Sequence, residues 1–333
     1  MTASSITIPF DEALHFAAHD DQMHPHGPQA DWTETMWFSF NVPERSLAGW
    51  LYVQTRPNIG TSAGGAFLYG PGDWAPWELP FYNYFDHQSM PDPLDLRDVQ
   101  FMNGVSCKVL EPGMKYRLGY RFRDSDEFVA DLLFEGLTPP VPHVHGAPPF
   151  TGSSHYDQHG HVTGDLWLKG ERIPVDCVAV RDRSWGRRPE LVGLGARRLS
   201  YVFGAVPHVD GQPDDAFLVF CQPPADDQEA EVETLSSGYL LRDGQLRRLA
   251  SATRVNTRDA ATGGIQSIVV DITDTDGRTA HIVGEARGRM MLAKNSLCIN
   301  TFLRFDLDGR EAFGEDQDVW PVMRFRNRRR AAR

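Results

Sequence analysis

The sequence predicts an all-β protein built from two series of antiparallel strands. Short segments rich in β-branched and aromatic residues recur along the chain, at the spacing expected of antiparallel barrels or sandwiches. Asp-Gly pairs stand between several of these segments, for example in Arg242-Asp243-Gly244-Gln245, and this pair is a common hairpin turn. Helical periodicity is almost absent. We therefore expect two β-barrel or β-sandwich domains.

The first series of predicted strands follows an irregular start, residues 1–31, in which residues 11–18 are compatible with a short helix. Its strands are predicted at residues 36–42, 47–54, 64–70, 99–102, 105–110, 115–122 and 127–134. The proline-rich segment 138–149 follows, and proline excludes it from the centre of a sheet. We interpret this segment as a long loop or a lid.

The second series begins after predicted strands at residues 161–168 and 173–180. Its own strands are predicted at residues 198–206, 215–221, 237–242, 265–272, 279–284, 298–305 and 311–317. A chain of 333 residues is long enough for one large or two ordinary domains. We predict an N-terminal β-domain over residues 1–172 and a C-terminal β-domain over residues 173–333.

Charge and composition restrict the partners and the compartment. The net charge of −12 should repel nucleic acid and anionic membranes. The basic exception is the tail, residues 324–333, which we interpret as a solvated terminus, the alternative being contact with an anion or a partner. The four cysteines are far apart, and the sequence has neither a secretory signal nor a long apolar run. We expect a reduced, cytoplasmic protein without membrane insertion, and homodimer formation is left open.

Several motifs of common enzyme classes are missing. The sequence contains no GxGxxG, Walker, GxSxG or HExxH motif. Their absence argues against a dinucleotide-dependent enzyme, an NTPase and an ordinary α/β serine hydrolase, and we expect no cofactor.

The run of residues 181–188 combines an acid, an indole and four arginines at the end of a predicted strand. Asp182 can carry a proton or a charge, Trp185 offers an apolar face with one N–H donor, and arginine stays cationic. The functional interpretation is a ligand site. The structural interpretation is a corner in which Asp182 pairs with an arginine and Trp185 fills the core.

Histidines supply a second signal. His143 and His145 would share one face of a strand, which suits zinc or iron, and His155 or Asp157 could complete the ligand set. The plainer interpretation is that these are polar loop residues. Alternatively, His155 acts as a general acid or base, because histidine titrates close to neutral pH.

Aromatic residues and acids supply the third signal. Trp74, Trp77, Tyr82 and Tyr84 belong to a dense aromatic segment that fits either a ligand pocket or a β-domain core. Glu315 and Asp316 would point to opposite sides of a strand, so that only one of them can face a cavity. An acid in a dry pocket has a raised pKa and can donate a proton, whereas salt bridges to arginines are the structural alternative.

At Asp182-Arg183-Ser184-Trp185-Gly186 the chain resembles the carotenoid hydratase and AttH-like families of lipocalin-like proteins, which include hydroxyneurosporene-synthase-like relatives. These families carry an Asp-x-x-Trp-Gly run where the second β-domain begins. The segments 155–164 and 314–317 also resemble the family, and the likeness spans roughly residues 32–320. The resemblance implies two packed lipocalin-like barrels with a ligand cavity at or near their junction.

The resemblance also implies chemistry. Relatives hydrate isolated alkenes of apolar isoprenoids or steer cyclisations, which would make Asp182 the proton-handling residue and Trp185 the residue facing a carbocation. This chain has Arg183 where hydratases often have histidine. A fixed positive charge there would disfavour a carbocation and favour an anionic or enolate intermediate, and so a carbonyl-bearing or phenolic substrate.

Together these signals predict a cofactor-independent enzyme that performs acid/base addition, elimination or isomerisation on a hydrophobic small molecule. The predicted catalytic residues are Asp182, His155, Arg183 and Glu315. The predicted substrate-binding residues are Trp185, Trp74, Trp77, Tyr82, Tyr84 and Tyr156. The alternatives are a non-catalytic carrier of a hydrophobic ligand and a metal-dependent enzyme that uses His143, His145 and His155.

Overall fold

The computed structural model confirms an all-β architecture. It describes residues 18–123, 125–143, 153–188, 198–212, 214–224, 227, 230–293 and 296–331. Two antiparallel sheets make up the fold, one open and one closed into a barrel. The predicted helix at residues 11–18 lies outside the described residues except for Ala18, which begins a short 3₁₀ turn, Ala18–Asp21.

The first sheet is open and has eleven strands. They are β1 (Trp32–Val42), β2 (Leu47–Arg56), β3 (Thr61–Tyr69), β4 (Phe81–Ser89), β5 (Asp98–Gln100), β6 (Val105–Glu111), β7 (Lys115–Arg121), β8 (Phe128–Gly136), β9 (Val141–Pro142), β10 (Ser153–Leu168) and β11 (Glu171–Arg187). The strand order is β4-β3-β2-β1-β11-β10-β8-β7-β6-β5, with β9 paired to β10. Short 3₁₀ turns, Pro43–Arg45 and Pro57–Ile59, connect β1 to β2 and β2 to β3.

The second sheet is a closed barrel of eight strands. They are β12 (Leu199–Ala205), β13 (Ala216–Gln222), β14 (Val232–Arg242), β15 (Gln245–Arg258), β16 (Ile265–Asp274), β17 (Thr279–Ala293), β18 (Ser296–Leu307) and β19 (Arg310–Pro321). Each strand pairs with its neighbour in the sequence, and β19 pairs with β12 to close the barrel. Two of the predicted Asp-Gly turns place both residues in the left-handed region, at Asp243-Gly244 and Asp308-Gly309, as tight hairpins require.

The boundary between the sheets differs from the predicted one. The two predicted domains meet between residues 172 and 173, whereas β11 pairs with β1 and β10 in the first sheet. The second sheet begins only at Leu199. Strand β11 begins at Glu171, in the last two residues of the predicted N-terminal domain, and continues to Arg187 in the predicted C-terminal domain. The spacing of the strands along the sequence does not show that it belongs to the first sheet.

The C-terminal tail also differs from its prediction. Residues 322–331 form helix α1 (Val322–Ala331) instead of a frayed terminus. Phe325 of α1 is buried and its ring lies 5.6 Å from that of Trp320. Arg328 donates a hydrogen bond to Glu231, so the helix is fastened to the barrel by both apolar and polar contacts.

Three apolar cores result from the alternation of side chains along each strand. One lies on the inner face of the first sheet, which curls around it. A second fills the barrel. The third joins the outer face of the first sheet to the outer face of the barrel, with Trp37, Trp50 and Phe67 on one side and Tyr201 and Phe203 on the other. This shared core holds the two sheets together and surrounds the candidate site.

No helix among the described residues is long and apolar enough to cross a membrane. The four cysteines are unpaired, and Cys107, Cys177 and Cys221 are buried as small apolar residues.

Candidate functional site

A cavity of about 360 Å³ lies at the junction of the two sheets. The first sheet contributes β1, β2, β10 and β11 to its wall, and the barrel contributes β12, β13 and β19. The lining residues are Thr35, Trp37, Trp50, Tyr52, His155, Asp182, Ser184, Arg188, Leu199, Tyr201, Phe220, Gln317 and Val319. Five of these are aromatic, whereas the polar groups gather around His155 and Asp182. The cavity is large enough for a small organic molecule.

The alternation of side chains divides the arginine-rich run between two faces of β11. Asp182 and Ser184 point toward the barrel and line the cavity. Arg181, Arg183 and Trp185 point to the inner face of the first sheet, where all three are buried. Only the even-numbered half of the run can therefore meet a ligand in this cavity.

An ion-paired network stands at the polar end of the cavity. His155 of β10 is a diagonal neighbour of Asp182 of β11, which is paired with Asp157 in the strand register. The His155 Nε2 atom lies 2.5 Å from Asp182 Oδ2. The same nitrogen lies 3.2 Å from Asp157 Oδ2. His155 and Asp157 are two residues apart on β10 and so share a face. One imidazole thus lies between two carboxylates.

Asp157 also connects the first sheet to the barrel. It is fully buried, and Tyr201 of β12 donates a hydrogen bond of 2.6 Å to its Oδ1 atom. His143 Nε2 lies 2.9 Å from its Oδ2 atom. His143 in turn lies 3.0 Å from Ser237 Oγ of the barrel, through Nδ1. A change at Asp157 would therefore affect both the junction and the orientation of His155.

Charge in this network is set by burial and by the carboxylates. Burial lowers the pKa of His155, but the adjacent Asp157 and Asp182 outweigh it and raise that pKa to about 10. Burial raises the pKa of Asp157, and His155 and His143 more than offset this effect and hold it below its usual range. The pKa of His143 is lowered because burial outweighs Asp157. At neutral pH His155 is therefore a cation held against two acids.

The inner face of β11 carries a separate buried cluster. The Arg183 side chain is 4% exposed and lies 2.6 Å from Glu34 Oε2. Trp185 stacks on His24, with 3.5 Å between ring centroids, and Tyr156 packs edge-on against Trp185. Arg183, Trp185 and Tyr156 are thus placed away from the cavity. The described site therefore has no Arg183 charge beside the reacting group. It also has no Trp185 indole that could face a carbocation.

Glu315 lies behind the cavity wall and is not one of its lining residues. It is buried on β19, and the indole N–H of Trp50 donates a hydrogen bond of 2.7 Å to its Oε2 atom. Burial raises the pKa of Glu315 to about 8, although the hydrogen bonds of Trp50 and Tyr69 oppose this. Glu315 is therefore a neutral acid at pH 7 that holds the Trp50 ring in the wall.

Glu315→Gln is expected to change how stability depends on pH. The folded-state pKa of about 8 lies above the ordinary carboxyl value, so wild type binds a proton at Glu315 on folding. The stability of wild type therefore falls as pH rises from about 5 to about 8. Relative to the glutamine variant, wild type should lose up to ~1.4 kcal/mol per pH unit in that window. Denaturant unfolding at pH 5, 6.5 and 8 measures this difference. The exposed variant Glu127→Gln serves as the matched control for loss of a surface carboxylate, and parallel curves for Glu315→Gln and wild type would contradict the assignment.

The aromatic segment predicted to bind substrate is dispersed. Trp74 packs in a cluster beside α1, and Trp77 is 84% exposed on a turn. Tyr82 and Tyr84 lie on β4 against Phe67, and the Tyr84 ring is 6.4 Å from that of Tyr52. None of the four lines the described cavity, although Tyr84 supports the Tyr52 wall from behind.

The cavity wall contains residues that the sequence analysis did not select. Trp37 and Trp50 come from β1 and β2, Tyr201 and Phe220 come from β12 and β13, and Gln317 comes from β19. Strand alternation was the available signal, since it places Trp37 on the same face as Thr35 and Trp50 on the same face as Tyr52. The alternation of side chains along a strand does not show which strands of the two sheets meet at the junction, because that depends on long-range contacts.

A metal ligand set different from the predicted one is present. His155, Asp157 and Asp182 each direct a ligand atom into a group spanning less than 4.8 Å. His143 Nε2 and Asp157 Oδ2 are buried atoms without a well-aligned hydrogen bond. One imidazole and two carboxylates fit a divalent cation such as zinc or iron. His145, the remaining residue of the predicted set, lies outside the described residues.

Two antiparallel β-units, one a curled open sheet and the other a closed eight-stranded barrel, with a cavity where they meet, define a two-domain lipocalin-like protein. The chain belongs to the family described as domain of unknown function DUF7064, whose profile matches residues 17–316. No curated protein matches the sequence.

Solved structures share the whole architecture. A putative AttH from Nitrosomonas europaea superposes with a TM-score of 0.55 at 14% identity, covering 96% of this chain and 99% of that one. Kievitone hydratase from Nectria haematococca gives 0.51 at 10% identity, with 96% of each chain covered. CghA in complex with Sch210972 gives 0.53 at 12% identity, covering 87% of this chain and 88% of that one. At these identities the likeness establishes the fold.

Proposed function

We propose that this protein is an enzyme that adds, removes or relocates a proton on a hydrophobic small molecule bound in the junction cavity. The observation that carries the proposal is the contact of 2.5 Å between His155 and Asp182 at one end of an aromatic cavity. An ion pair exposed to a largely apolar cavity is a costly arrangement that suits proton transfer better than packing.

The walls favour a flat or extended apolar substrate. Trp37, Trp50 and Phe220 offer ring faces or edges to a ligand, while Tyr201 and Gln317 supply polar contacts near the ion pair. Such a distribution orients a molecule with its apolar body along the aromatic wall and its reactive oxygen or double bond at His155. Arg188, at the exposed rim, can meet a polar substituent.

The His155–Asp182 pair can perform both halves of a hydration or its reverse. In the forward direction a proton from the pair adds to one alkene carbon, and water bonds to the other carbon and returns a proton to the pair. In the reverse direction the hydroxyl leaves as water after it gains a proton, and a C–H proton passes to the pair. Isomerisation needs only the removal and return of a proton. None of these steps consumes an external reductant or oxidant.

The comparisons support this proposal at the level of architecture. One structural neighbour is named a hydratase, and another was solved with Sch210972. The cavity of this chain lies between its two β-units and contains acid/base groups, as a hydratase of this architecture would need.

Ligand capture with product analysis tests the proposal. Purified full-length protein is incubated with an extract of apolar metabolites, and retained and released molecules are identified by mass spectrometry. An enzyme should release a product that differs from a retained molecule by the mass of water or, for isomerisation, only in retention time. Retention of a ligand that is never converted would instead support a carrier.

A metal-dependent enzyme is the second candidate, and the grouping of His155, Asp157 and Asp182 favours it. Elemental analysis after purification without affinity metals distinguishes the two. Stoichiometric zinc, iron or manganese that is lost in a His155→Ala variant would support a metal site. Sub-stoichiometric metal, and conversion that is unaffected by a chelator, would support the ion-pair mechanism.

A further inference from the structure

Helix α1 presents an apolar and basic face that nothing in the proposed function uses. It contains five arginines and no acid, in a chain whose net charge is −12. Val322 and Met323 are 39% and 44% exposed, and Arg326 and Arg330 are exposed with them. Within the described part of the chain, neither Arg326 nor Arg330 forms a salt bridge. The barrel thus carries a compact positive area on an acidic protein.

A large exposed indole, Trp77, lies on a turn close to α1. Its turn is held beside α1 because Trp74 packs against the apolar cluster that contains Phe325. The Trp74 carbonyl also accepts the Met291 N–H at 3.0 Å. The Trp77 side chain itself is 84% exposed. Large exposed apolar side chains often mark interaction sites on proteins. Tryptophan in particular is enriched where proteins meet the headgroup region of membranes.

The acids near this face are already engaged. Glu231 accepts a hydrogen bond from Arg328. On the tryptophan turn, Asp73 accepts the N–H of Gly70 and Glu78 accepts that of Ala75. Glu231 is paired with Arg328 of α1, whereas Arg324, Arg326 and Arg330 can meet external anions.

We propose that α1 and the Trp77 turn dock the protein on an anionic phospholipid surface. Arg324, Arg326 and Arg330 would contact headgroup phosphates, while Trp77, Val322 and Met323 would enter the interfacial layer. Lipid headgroups are fluid and can adapt to the spacing of the arginines, so the arginines need not be regularly spaced to bind them. The docking stands independently of the chemistry in the cavity, and it would bring the protein to membranes in which apolar molecules accumulate.

Vesicle binding of the full chain tests the docking. Wild type should co-sediment with phosphatidylcholine vesicles enriched in phosphatidylserine, and not with phosphatidylcholine alone. The triple variant Arg324→Gln, Arg326→Gln and Arg330→Gln should bind on the order of 100-fold more weakly. A matched triple variant at exposed positions of the first sheet, Arg45→Gln, Arg117→Gln and Arg172→Gln, changes the net charge equally and should bind like wild type.

Tryptophan fluorescence tests the apolar part. A blue shift on vesicle addition should appear in wild type and be lost in Trp77→Phe. The proposal is overturned if anionic vesicles do not bind, if both triple variants bind alike, or if soluble polyphosphate or RNA binds as tightly as the vesicles. Because no substrate is involved, these outcomes are independent of whether the cavity is catalytic.

Discussion

Asp182→Asn is expected to lower turnover by roughly 10²- to 10⁴-fold while ligand affinity changes little. Asparagine keeps the size of the side chain and its hydrogen-bonding capacity, but it cannot accept or release a proton at neutral pH. His155 would keep Asp157, 3.2 Å away, as its remaining carboxylate partner. The pair would therefore stay folded in place and lose its function in proton transfer. The measurement is the conversion rate of the captured ligand, with affinity followed by fluorescence of the aromatic wall.

The same strand supplies a matched control for Asp182→Asn. Asp176 of β11 forms a His–Asp contact of the same kind, with its Oδ1 atom 2.6 Å from His161 Nε2, but its side chain is 79% exposed and lies outside the junction cavity. Asp176→Asn should leave turnover unchanged. Equal loss in the two variants would indicate a general effect on β11, and full activity of Asp182→Asn would remove Asp182 from the mechanism.

The fold was predictable because its signals are local. Two of the hairpins were predicted directly from Asp-Gly pairs, at Asp243-Gly244 and Asp308-Gly309. Most of the predicted strands overlap observed ones. Strand β15, Gln245–Arg258, was missed because it is rich in polar residues and its buried arginine looks like a surface residue. Strand β4 was taken as a pocket-forming segment because its aromatic residues and the preceding prolines resemble a loop.

The site was only half predictable from sequence. His155 and Asp182 were both selected as proton-handling residues, and the structure brings them together through the pairing of β10 with β11. Arg183, Trp185 and Tyr156 were assigned to the same site, although their position in the alternation sends them to the opposite face. The closure of the cavity by Tyr201 and Phe220 depends on how a barrel docks on a sheet, and single-sequence patterns do not encode that docking.

A buried charge network inside the barrel explains why polar residues are tolerated there, and Arg254 is its centre. Arg254 is fully buried, donates a hydrogen bond of 2.9 Å to Glu233 and pairs with Asp316. Arg198 pairs with Glu233 as well, whereas Arg258 pairs with Asp318. Three arginines and three acids thus neutralise one another in a volume from which water is largely excluded.

Arg254→Met is expected to destabilise the protein by about 3–5 kcal/mol, because it leaves the buried Asp316 without its cation. Burial already raises the pKa of Asp316 to about 6 despite Arg254, so loss of the arginine should raise it further. A proton on Asp316 then relieves part of the cost at low pH. The deficit relative to wild type should consequently be smaller at pH 5 than at pH 8, which denaturant unfolding at the two pH values measures.

Two further variants separate a lost ion pair from a lost side chain. Arg254→Met combined with Asp316→Leu removes both charges, and Glu233 keeps Arg198, so much of the stability should return. Arg304→Met breaks an exposed pair with Glu311 and should change stability little. If Arg254→Met cost no more than Arg304→Met, the barrel interior would have to admit water freely. The buried arginines would then be solvated groups, and the packing of the barrel, not its charge balance, would be what fixes β15 in place.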